Sequence, residues 1–120
     1  MRRGRDESGA ATAELAMALP LLVAVTVGLV WLLAVGAAQI RVVDAARETA
    51  RAAARGDGTG AAVARGLRVV PDGGRVTVSV AGDRVRASVS GRVAGPGGLF
   101  GFLPAVTVHA EAVAALEGAP

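Results

Sequence analysis

The chain has no cysteine, no tyrosine and no lysine. Lacking cysteine, it has no disulfide framework and no thiolate metal site, whatever the redox state of its compartment. Lacking lysine, it has no phosphate loop of the GxxxxGK[ST] kind. One tryptophan and two phenylalanines are its only aromatics. That leaves little for base stacking, and no arginine cluster is interleaved with them, so nucleic acid is not an expected partner. All 13 basic residues are arginine, against 10 acids. The sequence pI of 11.3 therefore reflects missing buffers, because the net charge is only +3. The bias towards alanine, arginine, glycine and valine fits a GC-rich genome and carries no functional weight.

Charge is also missing where its absence matters most. From Leu15 to Ala38 there is no ionisable residue, and the apolar run is broken only by Pro20, Thr26, Gly28 and Gly36. As a helix this segment is about 36 Å long, more than the roughly 30 Å of bilayer hydrocarbon. Its leucines and valines favour insertion by about 4–7 kcal/mol before the costs of proline and glycine. The residues after Ala38 suffice for one small core, which is too little to cover every face of such a helix in water. A membrane-spanning helix is expected. A cleaved secretory signal, with small residues at Ala34, Gly36 and Ala38, is the rival, but signal cores run only about 7–15 residues. Arg2, Arg3 and Arg5 precede the run, and Arg41, Arg47, Arg51 and Arg55 follow it. Counting arginines therefore leaves the orientation open.

Glu14 stands at the mouth of this run. A carboxylate there is costly unless it stays at the interface or meets a cation. In the first turn of a helix it is also favoured by the helix dipole.

Gly9, then Glu14 five places on, then a long apolar helix, resembles the processing site of type IV prepilins and pseudopilins. More narrowly, Ala11-Thr12-Ala13-Glu14-Leu15-Ala16, Leu19-Pro20-Leu21, Asp44-Ala45-Ala46-Arg47-Glu48 and Ala52-Ala53-Ala54-Arg55 resemble TadE-like minor pilins. Those belong to the tight-adherence (Tad, Flp-type) branch of type IV pilus systems. The resemblance implies a leader of residues 1–9, cut on the cytoplasmic side by a membrane prepilin peptidase, with Ala10 as the new N-terminus. It implies that Glu14 pairs with the Ala10 amine of a neighbouring subunit, since a buried carboxylate without a partner is costly. The implied topology has the N-terminus in the cytoplasm and the following domain outside the cell membrane. Implied partners are the membrane, the prepilin peptidase, other pilins and the Tad assembly proteins. Asp6, Glu7 and Ser8 depart from the basic leader that prepilins often carry.

The residues divide the remaining chain. A transmembrane helix is expected over 10–38. Within it Ala16, Pro20, Ala24, Gly28 and Gly36 share an i, i+4 ridge, interrupted by Leu32, that favours close helix packing. An amphipathic stalk helix is expected over 39–55, with Val42, Val43, Ala46, Ala50, Ala53 and Ala54 on its apolar side. Asp44–Arg47 and Glu48–Arg51 are candidate ion pairs, each worth a few tenths of a kcal/mol. A small β-rich domain is expected over 56–120. Ala61–Leu67 reads as a helical turn or two. Three alternating runs, Val76–Val80, Val85–Val93 and Val106–Ala112, read as strands, with turns supplied by Asp72-Gly73-Gly74 and Ala81-Gly82-Asp83. The fold class is thus α+β: a long N-terminal transmembrane and stalk helix, then a pilin-like antiparallel sheet of three to four strands with one face on the stalk. The loop Ala94–Pro104 carries Leu99, Phe100, Phe102 and Leu103. Those side chains are expected to cap the core, the other use being contact with the membrane surface or a pilus component.

An enzyme is not expected. His109, the single histidine, alternates with Glu111 on the polar side of its strand, but no third metal ligand accompanies them. Asp57-Gly58-Thr59-Gly60 has no second copy to form a carboxylate dyad, and no serine lies in a nucleophile elbow. No cofactor, metal or small-molecule substrate is expected. Two classes of function stand: a TadE-like minor pilin acting in pilus assembly, and a signal-anchored binding protein of the cell envelope.

Overall fold

The computed structural model describes residues 2–70, 73–97 and 101–117. Asp72, Leu99 and Phe100, and the side chains of Arg2, Arg3 and Arg5, lie outside the described set. The molecule is a rod with a thickened end, measuring 90 × 22 × 19 Å. Its axis is one helix, α1, Arg2–Ala54. The expected membrane and stalk segments are therefore a single unbroken helix, and the helix also runs back through the expected leader. Pro20 lies within it, where the missing N–H leaves the Ala16 carbonyl without its usual partner.

The helix stops where the sequence turns to glycine. Gly56 has φ +85°. The Gly56 N–H donates to Ala53 O at 3.1 Å and the Asp57 N–H to Ala52 O at 3.2 Å, the paired bonds of a Schellman cap. A second helix, α2 (Thr59–Val69), follows, longer than the turn or two expected over Ala61–Leu67. Strands β1 (Arg75–Ala81), β2 (Arg84–Val93) and β3 (Val106–Ala115) form an antiparallel sheet in the order β1-β2-β3. Gly82 (φ +62°) and Asp83 make the two-residue turn between β1 and β2. Glycine in first place, followed by a residue of negative φ, suits a II′ hairpin. The α+β class and the antiparallel sheet agree with the sequence reading, with three strands among the described residues.

Alternation along β2 sorts the two faces. Val85, Ala87 and Val89 are fully buried against α1, while Arg84, Arg86 and Arg92 are exposed. Val89 and Val108 pack with Ala38, Val42, Ala45 and Ala46 of the helix. Three polar contacts set the height of the sheet along α1. The Trp31 indole N–H donates to Ala94 O (2.9 Å), Gln39 Nε2 to His109 O (3.1 Å) and the Glu117 N–H to Ala54 O (3.0 Å). The strands thus run beside the helix, and the β2–β3 connection hangs at the end nearer the apolar run.

Three local expectations need correction. The buried side of α1 includes Ala45, Thr49 and Ala52, while Val43 and Ala53 are only half-buried. The cause is a second partner, because α2 covers a flank that a sheet alone would leave open. Glu48 pairs with Arg65 of α2 (3.5 Å) rather than with Arg51, and neither pair expected within the stalk forms. Phe102 does not cap the core: it is 79% exposed.

The closest approach is Gly66 of α2. A Cβ there would run into the Thr49 hydroxyl and come within 3.2 Å of Val76 Cγ1. Thr49 Oγ1 is buried without a hydrogen-bond partner, so the site has no slack on either side. Gly66→Ala should destabilise the sheet domain by about 1–3 kcal/mol, the usual cost of overpacking. In a Thr49→Ala background the same change should cost markedly less. Thermal melts of the four variants in detergent, followed by circular dichroism, check both values.

Candidate processing site

Gly9 and Ala10 lie on α1, both exposed, and a Cβ on Gly9 would meet nothing within 4 Å. Glu14 is exposed and one turn beyond Ala10 on the same helix face. Side chains on a helix lean towards its N-terminus, so the Glu14 carboxylate leans towards Ala10. Gly9 itself is about 140° further round the helix. The Thr12 hydroxyl donates to Ser8 O at 2.9 Å and so spans the Gly9–Ala10 bond. A cut there would remove the acceptor and leave the first turn of the shortened helix with free N–H groups facing Glu14. That arrangement can hold one carboxylate against one positive end, and performs no chemistry by itself.

Beyond Glu14 the helix is bare. Leu15, Met17, Leu19, Leu21, Leu22 and Leu29 are all more than half exposed. The helix is long and apolar enough to cross a membrane, and none of its most apolar window is buried. On the small-residue ridge Ala16, Pro20 and Gly36 are exposed, while Ala24 and Gly28 are half-covered. No side chain fills the space above Gly28 or Gly36. The ridge is therefore open to a neighbouring helix or to lipid.

The outer face of the sheet gathers a polar group that sequence reading saw only in part. Glu111 accepts from the Ser88 hydroxyl (3.1 Å), and lies 3.8 Å from both Arg86 Nη1 and His109 Nε2. Cross-strand register explains it, since Ser88 faces Glu111 and Ser90 faces His109. These side chains are roughly half-exposed, and such pairs contribute little to stability. Among the described residues no three His, Asp or Glu side chains converge as metal ligands. The arginine row Arg47, Arg51, Arg55 is exposed, with Arg55 3.3 Å from Asp57. Trp31 was the feature missed. Its tie to Ala94 joins residues 63 positions apart, a distance no local pattern reveals.

Because Gly9 is unobstructed, Gly9→Ala should leave the fold intact and raise local helix stability by about 0.8–1.0 kcal/mol. Equal or greater helix content by circular dichroism checks this, and makes that variant a clean probe of anything that needs Gly9 unwound.

No curated protein and no solved structure matches the chain. A protein-family model described as TadE-like protein matches residues 9–51. From Gly9 to Arg51 the chain is similar to that family.

Proposed function

We propose that this chain is a minor pilin or pseudopilin taking part in the assembly of a tight-adherence, Flp-type pilus. The observation that carries the reading is the family match, which starts at Gly9 and takes in Glu14, the whole apolar run and most of the remaining helix. In this reading the precursor is inserted with its N-terminus in the cytoplasm and the sheet domain outside. A prepilin peptidase cuts after Gly9, for which the local helix must open into an extended strand. Glycine lowers the cost of that opening. Residues 1–9 carry three arginines and two acids, so the mature chain is almost as basic as the precursor and its charge drives nothing.

Glu14 then has a purpose. Among apolar neighbours its carboxylate is costly alone, but paired with the Ala10 amine of an adjacent subunit both charges are neutralised. Removing one member of a buried pair typically costs about 3–5 kcal/mol. The exposed leucines from Leu15 onward and the open ridge of Ala16, Pro20, Ala24 and Gly28 supply the surface on which other pilins pack. The role is structural, without substrate or cofactor.

Glu14→Leu tests the reading, because it keeps the helix and increases its affinity for lipid. The variant should be inserted and stable, yet pilus assembly, counted by electron microscopy of the producing cells, should fall by at least about tenfold. Assembly at the normal level would instead fit a signal-anchored envelope protein.

A further inference from the structure

The depth of each part of the chain rests on the reading of α1 as a membrane span. Counted from Leu15, hydrocarbon about 30 Å thick takes up about 20 residues of helix and ends near Ala34. The outer domain does not stop at that level. Pro96 and Leu103, from the β2–β3 connection, line an apolar groove with Val25, Gly28, Leu29 and Leu32 of α1. Those helix positions lie about 15–26 Å along the axis from Leu15, inside the hydrocarbon zone. The sheet register agrees with this placement. His109 sits beside Gln39, and three residues of strand, about 10 Å, separate it from Val106. The connection therefore begins near the level of Leu32 and descends from there.

Its composition suits that depth. No residue from Val93 to Val108 is ionisable. Phe102 is 79% exposed at its tip. The indole N–H of Trp31 is satisfied by Ala94 O, and tryptophan is the residue that settles at membrane boundaries. Just outward, beside Ala34–Arg41, an open cleft is bordered by Arg41, Arg68 and Arg92. Among the described residues none of these three has a carboxylate within 4.0 Å. Going outward along the helix, an apolar surface is followed by cations, which is the order of acyl chains and phosphates in a leaflet.

We propose that the described parts of the β2–β3 connection, 94–97 and 101–105, insert into the outer leaflet beside α1, with Pro96, Phe102 and Leu103 among the acyl chains and Arg41, Arg68 and Arg92 at the lipid phosphates. By the same count the groove extends from about 4 to about 15 Å below the outer edge of the hydrocarbon, deeper at its Val25 end than the usual interfacial segment. Irregular backbone is tolerated below the interface where protein covers it, and here Pro96 and Leu103 lie against α1. In the bilayer, before any assembly, the occupant is lipid rather than a second copy, because the surface continues the spanning helix at the same depth.

The cysteine-free sequence allows a direct test. Single cysteines at Gly101, Leu22 and Ser79, each carrying an environment-sensitive fluorophore, are compared in the full chain. The chain is reconstituted at high lipid excess in phosphatidylcholine–phosphatidylglycerol vesicles with iodide on both sides. The Gly101→Cys probe should lose most of its access to iodide and be quenched more by nitroxides near the headgroup than by nitroxides near the chain end. Leu22→Cys should be quenched by the deep nitroxide, and Ser79→Cys by iodide alone. Adding Phe102→Ser should return the Gly101→Cys probe towards water. A Gly101→Cys probe behaving like Ser79→Cys, with Leu22→Cys in lipid, overturns the insertion alone. Shielding that vanishes as protein is diluted in lipid assigns the surface to a second copy and also overturns it. A Leu22→Cys probe in water overturns both the insertion and the span.

Discussion

The structure outside the apolar run depends on one contact, the close approach of the carboxy-terminal half of α1 to the sheet. That half presents alanine and valine, with Val42, Ala45, Ala46 and Ala50 essentially inaccessible. Small side chains let the sheet lie almost on the helix backbone, and β2 answers with Val85, Ala87 and Val89. Fully burying one valine contributes about 1.5–3 kcal/mol, so a core this thin must be filled without gaps. That explains why α2 approaches through Gly66, where even a methyl group has no room.

The same contact ties two environments together. A single helix supplies both the hydrophobic core of the outer domain and the bare apolar rod. Ties at Trp31, Gln39 and Ala54 hold the domain at one height along it. Force or displacement applied to the rod is therefore passed directly to the sheet, with no hinge between. The sheet domain and the helix therefore move as one body. The two flanks of the apolar run differ as well: Glu14 adjoins one, and Arg41, Arg47, Arg51 and Arg55 follow the other.

Much of this was legible in the sequence, and the reasons are local. The uncharged run Leu15–Ala38 could be little else than a lone apolar helix. Strict alternation at Val85, Ala87 and Val89 fixed both the strand and its buried face, as period-two patterns do. Glycines at 56 and 58 marked the end of the helix. What escaped was decided between distant segments. Thr49 and Ala45 were not on the expected apolar side, yet Thr49 faces Gly66 of α2 and Ala45 joins the core with Val89 and Val108. Glu48 has two arginines in reach, and only the packing of α2 selects Arg65. Phe102 looked like core because large apolar side chains in small domains usually are, whereas its loop follows the helix past the end of the core. Gly9, Ala10 and Glu14 were legible for a different reason. They form a short linear pattern that needs no tertiary structure to be recognised.

Mature N-terminus and topology are the hinge of the functional reading, and intact-mass measurement of the protein taken from its own membranes addresses the first directly. A chain beginning at Ala10, and reverting to the precursor mass when Gly9 is replaced by a bulky residue, is the predicted result. A chain still beginning at Met1 or Arg2, or one beginning after Ala38, would contradict maturation as a pilin.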